Sequence, residues 1–366
     1  MERFDQTKAV LTAETQVELR EPHAQAVQEL LEPEDSQLRK PNVIGLAIGV
    51  KETAGVPTGE PALVVLVTHK VAPDELRPEE RVPPTLQKVK TDVIEVGEVT
   101  AEQFAQERLE VTEELPFFMA DVGIQTLTKR IRPVEGGYSV GHKDITAGTI
   151  ATAVYDILPG GTISPPSPGI GIPPRYYILS NNHVLANSNA AVIGDPVLQP
   201  GPFDGGAMPA DIIARLSRFV PITFEPPTPR ALHRNLVDAA LAEAAYHDID
   251  REIHWVGNVR GWRRKADVTV GTLVQKSGRT TNYTVGRIVA VNATIDVGYG
   301  GGRLARFLDQ IVTTNMSAPG DSGSLITTLD EVAVGLLFAG SSVATIANQV
   351  ENVRARLRVE VAEQIL

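Results

Sequence analysis

A mainly β protein, preceded by a small α+β unit, is what this 366-residue sequence predicts. Two observations carry the prediction. From about Gly123 onward helical periodicity nearly vanishes, and short Val/Ile/Thr/Ala runs alternate with Gly/Pro turns, the pattern of a sandwich or barrel. The charge is also divided: residues 1–120 hold 12 basic and 23 acidic side chains and residues 121–366 hold 22 of each, so the net −11 lies wholly in the first third. The expected division is an acidic α+β N-terminal domain over 1–120, regulatory or interacting, and a β domain over 121–366.

Within the first part, Val27, Leu30 and Leu31 are spaced for one helix face. Val43–Lys51 and Ala62–His69 read as strands joined by a Gly/Pro loop, and a short helix near Asp74–Glu80 precedes a strand at Asp92–Val96. Thr100 and Gln103 form a capping-box pattern that opens a helix through about Leu109. In the second part the expected strands are Thr146–Tyr155, Tyr176–Leu179, Pro209–Phe219, Leu236–Glu243, Val268–Lys276, Val285–Val291, Phe307–Thr313, Ser324–Thr328 and Ala333–Ala339. Residues 159–174, with six prolines and four glycines, are a long loop, and Val343–Leu357 reads as a closing helix.

Composition excludes several classes. There is no cysteine, so no disulfide scaffold, Cys zinc site, iron–sulfur cluster or thiol nucleophile. The acidic-to-neutral balance argues against nucleic acid as a partner. The longest apolar stretch, Val43–Val50, is far short of the roughly 18 residues of a membrane span, so no membrane partner is expected. Glu2, Arg3, Asp5 and Lys8 do not make a signal peptide. A cytoplasmic location is the expectation.

Three segments carry chemistry. Pro319-Gly320-Asp321-Ser322-Gly323-Ser324 places a serine between glycines ahead of a buried strand, where backbone N–H groups can converge on one point. By itself such a turn is common. Tyr176–Leu185 places His183 directly after a strand, although a lone histidine is usually structural. Asn235–Ala242 places Asp238 inside an apolar run, where a carboxylate needs a partner. Jointly they fall in the order His183, Asp238, Ser322, separated by 55 and 84 residues, which is the order of the double-barrel serine peptidases and not that of the subtilisin or α/β-hydrolase types.

With these residues the second part resembles a bacterial trypsin-like serine peptidase, over about two-thirds of the chain. Asn181-Asn182-His183-Val184 is similar to the high-temperature-requirement proteases. Leu179–Gly201 and Val334–Ser341 look like relatives of the plant NARROW LEAF type. The resemblance implies a chymotrypsin-like double antiparallel β-barrel and a serine endopeptidase that hydrolyses peptide bonds through an acyl-enzyme. Ser322 would be the nucleophile, His183 the general base and then acid, and Asp238 the residue that orients the imidazole. Gly320 and Ser322 would supply the oxyanion-hole N–H groups. Phe338, Ala339 and Gly340 match the strand that pairs with substrate, and Met316 falls at the pocket floor, which points to a small or apolar P1 residue. Ser324-Leu325 departs from the usual Gly-Pro. Extracellular members create a new N-terminus to order the oxyanion loop. Val134–Tyr138 only faintly echoes that start, so no such activation is expected.

The implied partner is a protein or peptide substrate, with no metal or cofactor, and the N-terminal domain could also drive homo-oligomerisation. The alternatives are a latent or weakly active protease-fold binding or scaffold protein, regulated by that domain, and an esterase. His247, Asp248, Asp250 and His254 fit no standard metal spacing. Gly298–Gly302 reads as a flexible loop near the cleft and Lys276–Gly286 as a hairpin turn. No role falls to His23, His69, His142 or His233.

Overall fold

The structure is a computed structural model that describes residues 9–33, 40–101, 127–157, 173, 175–362 and 364–366. In its first part lie α1 (Ala13–Glu18), α2 (Arg20–Leu31), β1 (Val43–Thr53), β2 (Val56–Val67), β3 (Thr85–Leu86) and β4 (Val89–Glu95). Thr12 caps α1, its hydroxyl accepting from Thr15 N at 3.2 Å. The short helix expected near Asp74–Glu80 is a single 3-10 turn at Pro78–Glu80. Beyond Ala101 the helix expected from Thr100 to Leu109 lies outside the described residues, as does most of the loop 159–174.

Next come β5 (Val134–Gly136), β6 (Ser139–His142), β7 (Gly148–Thr149), β8 (Ala153–Asp156), β9 (Tyr176–Ser180), α3 (Asn182–Leu185), β10 (Pro196–Leu198), β11 (Ile212–Phe219) and β12 (Ala240–Ala244). A small sheet follows, with β13 (Ile249–Ile253) between β5 and β14 (Gly257–Asn258). The remainder is β15 (Gly261–Trp262), β16 (Leu273–Gly278), β17 (Asn282–Gly298), β18 (Leu304–Thr314), β19 (Leu325–Thr328), β20 (Val332–Gly340), β21 (Ala344–Gln349), α4 (Val350–Leu357) and β22 (Val359–Glu360). The chain is mainly β, as its sequence predicts.

Two curled antiparallel sheets dominate. One runs β22-β8-β9-β12-β11-β10-β6-β7. Its end strand β7 leads straight into β8, and Ala151 N donates to Leu179 O at 2.9 Å, so the sheet turns back on itself. The other runs β16-β19-β20-β21-β18-β17, and a further β16–β17 pairing closes these six strands into a ring. The bulges along β17 let it bend enough to pair with both β16 and β18.

The N-terminal strands extend this second barrel. β1 pairs antiparallel with β17, Gly45 opposite Ile295 and Ile48 opposite Val291. A side chain at Gly45 would put its Cβ 2.6 Å from Thr294 O, so glycine lets the two strands approach. The cores merge as well: Leu30, Leu31, Leu46 and Val65 pack in one cluster with Val274, Ile288, Ile311, Ile326 and Leu337. The Gln16 amide, buried under α1, donates to Val268 O and accepts from Val270 N. Among the described residues no helix is long and apolar enough to cross a membrane.

Other expectations change as well: Thr146–Tyr155 is two short strands, β7 and β8, and the strand expected over Val268–Lys276 starts only at Leu273. Asp238 stands two residues ahead of β12, not inside a strand. Val343–Leu357 is a strand followed by a helix, because Ala344–Gln349 is buried on both faces and shows no alternation from which a strand could be read.

Candidate active site

His183 is held on α3, a single helical turn that follows β9 directly. Its Nδ1 meets Asp238 Oδ2 at 2.6 Å, and its backbone N–H donates to Asp238 Oδ1 at 3.2 Å. With Nδ1–H on a carboxylate, Nε2 becomes the basic nitrogen of the ring. Asp238 is fully buried, so its charge requires donors. A third comes from Tyr299, whose hydroxyl donates to Oδ2 at 2.7 Å. Burial first, and the Asp238 charge second, hold the Tyr299 phenol well above the ordinary tyrosine range, so it remains a donor. The main chain of Asp238 is fixed from both barrels: its N–H donates to Asn348 Oδ1 at 3.0 Å, and its carbonyl accepts from Asn181 Nδ2 at 2.7 Å.

Ser322 sits on the turn ahead of β19 and lines a cavity of about 380 Å³. Its hydroxyl makes a long 3.5 Å bond to Phe338 O. The turn is wedged against β7, where Thr149 N donates to Ser322 O at 2.7 Å. A Cβ on Gly148 would lie 2.4 Å from Val184 Cγ2 and 3.0 Å from Ser322 O, so this glycine brings the histidine's helix and the serine's turn against one strand. Gly323 has φ +100°, and a Cβ there would stand 2.1 Å from Thr149 O. Within the turn, Asp321 N donates to Ala318 O and Gly323 N to Leu337 O.

The turn is anchored through Asp321. Its carboxylate accepts from Thr280 N at 2.9 Å, Thr281 N at 3.2 Å, Thr281 Oγ1 at 2.6 Å and Ala318 N at 3.1 Å. It also receives Lys276 Nζ at 3.0 Å, and both side chains of this ion pair are fully buried. Burial pulls the Lys276 ammonium below the ordinary lysine range, and Asp321 opposes that shift. Neither Lys276 nor Tyr299 stood out in the sequence as part of a site. A lysine at the end of the expected strand Val268–Lys276 was the available signal for the first.

The cavity is walled by Thr100, Asn315, Ser317, Ala318, Pro319, Leu337, Ala339, Gly340, Ser341 and Ser342 beside Ser322. Of the residues assigned to substrate by resemblance, Ala339 and Gly340 line it. Met316 is buried in the core shared with α2 and β1, and the Phe338 ring packs 4.7 Å from the Phe307 ring. Gly320 takes φ +96° beside Ser322. His254 pairs with Glu135 at 2.8 Å, and His247 is exposed. Among the described residues no cluster of three or more His, Asp or Glu could hold a metal ion.

Residues 23–96 match the NARROW LEAF 1 N-terminal domain family. A stretch of 87 residues, 24% of this chain, is 38% identical to Serine protease 2 of Streptomyces fradiae and covers 41% of that protein. A stretch of 85 residues is 38% identical to Streptogrisin-D of Streptomyces griseus and covers 20% of it. The chain thus spans less than half the length of these relatives. Among solved structures, Thermobifida fusca Protease A is similar over 63% of this chain and 98% of its own, at 14% identity and a TM-score of 0.42. Cellulomonas bogoriensis chymotrypsin is similar over 63% and 99%, at 17% identity and a TM-score of 0.41. The chain is similar to bacterial trypsin-like serine proteases and carries a NARROW LEAF 1 type N-terminal domain.

Proposed function

We propose that this protein is a serine endopeptidase acting through Ser322, His183 and Asp238. The observation that carries the reading is the buried His183–Asp238 pair, braced by Tyr299, beside the glycine-flanked turn of Ser322. Ser322 Oγ attacks a peptide carbonyl while His183 Nε2 takes its proton. The N–H groups of Gly320 and Ser322 stabilise the oxyanion. The imidazolium then protonates the departing amine, and water, deprotonated by His183, hydrolyses the acyl-enzyme. The buried Lys276 ammonium on Asp321 supports a turn that is ordered without chain cleavage. Among the described residues no charged side chain lines the cavity, which favours a small uncharged P1 residue.

Ser322→Ala should abolish fluorophosphonate labelling and lower casein turnover by at least about 10³-fold, with an unchanged circular dichroism spectrum. Undiminished turnover would remove the triad. Turnover of short esters without casein would instead favour an esterase. The second reading, a latent protease-fold protein restrained by its N-terminal part, is favoured by Thr100, an N-terminal residue in the cavity wall.

A further inference from the structure

The cavity beside Ser322 opens along the end of β20. Phe338 O lies 3.5 Å from the Ser322 hydroxyl. In extended chain, polar groups two residues apart face the same side, so the N–H and C=O of Gly340 continue the edge that begins at Phe338 O. A peptide whose carbonyl reaches Ser322 would therefore pair with Gly340 as an added strand.

That edge is already taken by the chain itself. Thr100 N donates to Gly340 O at 3.1 Å, and Gly340 N donates to Thr100 O at 3.1 Å. The pairing is antiparallel, so the chain at Thr100 runs from Gly340 toward Phe338 and Ser322. The other side of the segment is held equally: Ala101 N donates to Gly298 O at 2.9 Å, and Gly298 N donates to Val99 O at 3.0 Å. Val99 and Ala101 are buried in the core cluster of Phe307 and Phe338. Upstream, Ser341 Oγ donates to Val96 O at 2.6 Å.

We infer that Val99–Ala101 is an internal strap that occupies the peptide-pairing edge at Gly340, so that an extended peptide substrate must displace Thr100 before its backbone can pair there. The inference rests on the endopeptidase reading and adds its regulation. A small reagent that needs only Ser322 bypasses the strap, whereas a reagent with a peptide arm competes with it.

The test compares two labels on the full-length chain: an alkyl fluorophosphonate, and a tripeptidyl phosphonate with a small uncharged residue at its reactive end. Thr100→Pro removes the N–H that donates to Gly340. In that variant the ratio of tripeptidyl to alkyl labelling rates should rise about tenfold. An unchanged or lower ratio overturns the strap. Should Thr100→Pro fail to fold, the pair Gly97→Cys and Ser341→Cys decides. A Cβ at position 97 would lie 3.1 Å from Ser341 Cβ, within adjustment of disulfide geometry, and the native chain has no cysteine to interfere. Oxidation should lower the ratio and reduction should restore it, and a ratio indifferent to redox state overturns the strap. Failure of the alkyl reagent to label Ser322 in any of these proteins would instead sink the endopeptidase reading.

Discussion

Asp238 and Asp321 are both buried carboxylates, and each is sustained by donors from segments distant in the chain. For Asp238 these are His183 and Tyr299, and for Asp321 they are Lys276 and the Thr280–Thr281 turn. A buried charge that loses its counter-charge is costly, at about 3–5 kcal/mol. Lys276→Met should therefore lower stability by about that amount and slow labelling of Ser322, because the turn holding Gly320–Ser322 loses its anchor. Thermal denaturation and labelling rates check both, and Lys276→Met/Asp321→Asn should recover part of the loss. A single variant with native stability and native labelling would show that the ion pair does not order the turn. His183, Asp238 and Ser322 were legible in the sequence as a spaced trio. The bracing of the carboxylates was not, since which tyrosine or lysine reaches a given carboxylate depends on strand pairing.

At the scale of elements, α2 shows how the N-terminal part is fastened. His23 is buried, with Nε2 2.9 Å from Leu46 O and Nδ1 accepting from Asn292 Nδ2 at 3.1 Å, which makes Nε2 the protonated nitrogen of a neutral ring. Burial holds its pKa below the ordinary 6.5, against the pull of the Leu46 carbonyl and of Asp309. The unfolded chain then binds more protons than the folded one as pH falls below 6.5, so this group lowers stability on acidification through that window. The melting temperature should fall between pH 7 and 5 more steeply in the native protein than in His23→Gln. Parallel curves would remove His23 as the cause. At this scale the sequence located β9, β19 and β20 well, since each is a short apolar run between turns. It missed β21, where burial on both faces erases the alternation that marks a strand.

For the whole molecule, charge asymmetry and fold pull in different directions. The acidic first third reads as a separate appendage, yet β1 continues the sheet of β17 and the two share a core. An ion pair crosses the join, Arg306 with Glu32 at 3.0 Å, and Arg306 is further held by Asp296. Removing residues 1–120 would expose apolar side chains worth about 2 kcal/mol each, along with the unpaired edge of β17. Residues 121–366 alone should therefore associate in light scattering and melt well below the full chain. A monodisperse fragment with the full chain's melting temperature would show that the second barrel does not need its N-terminal strands.

The sequence by itself determined the mainly β class, the absence of thiol chemistry, and the candidate trio His183, Asp238 and Ser322 in its order. These follow from residue type, local periodicity and spacing, which are written along the chain. Only the tertiary structure decided that Lys276 meets Asp321, that Tyr299 meets Asp238, and that Thr100 lies on Gly340. It also decided that the N-terminal strands extend the second barrel's sheet from β17. Strand pairing and burial of charge join residues far apart in sequence, and the pattern of either partner alone does not record which other residue it will meet.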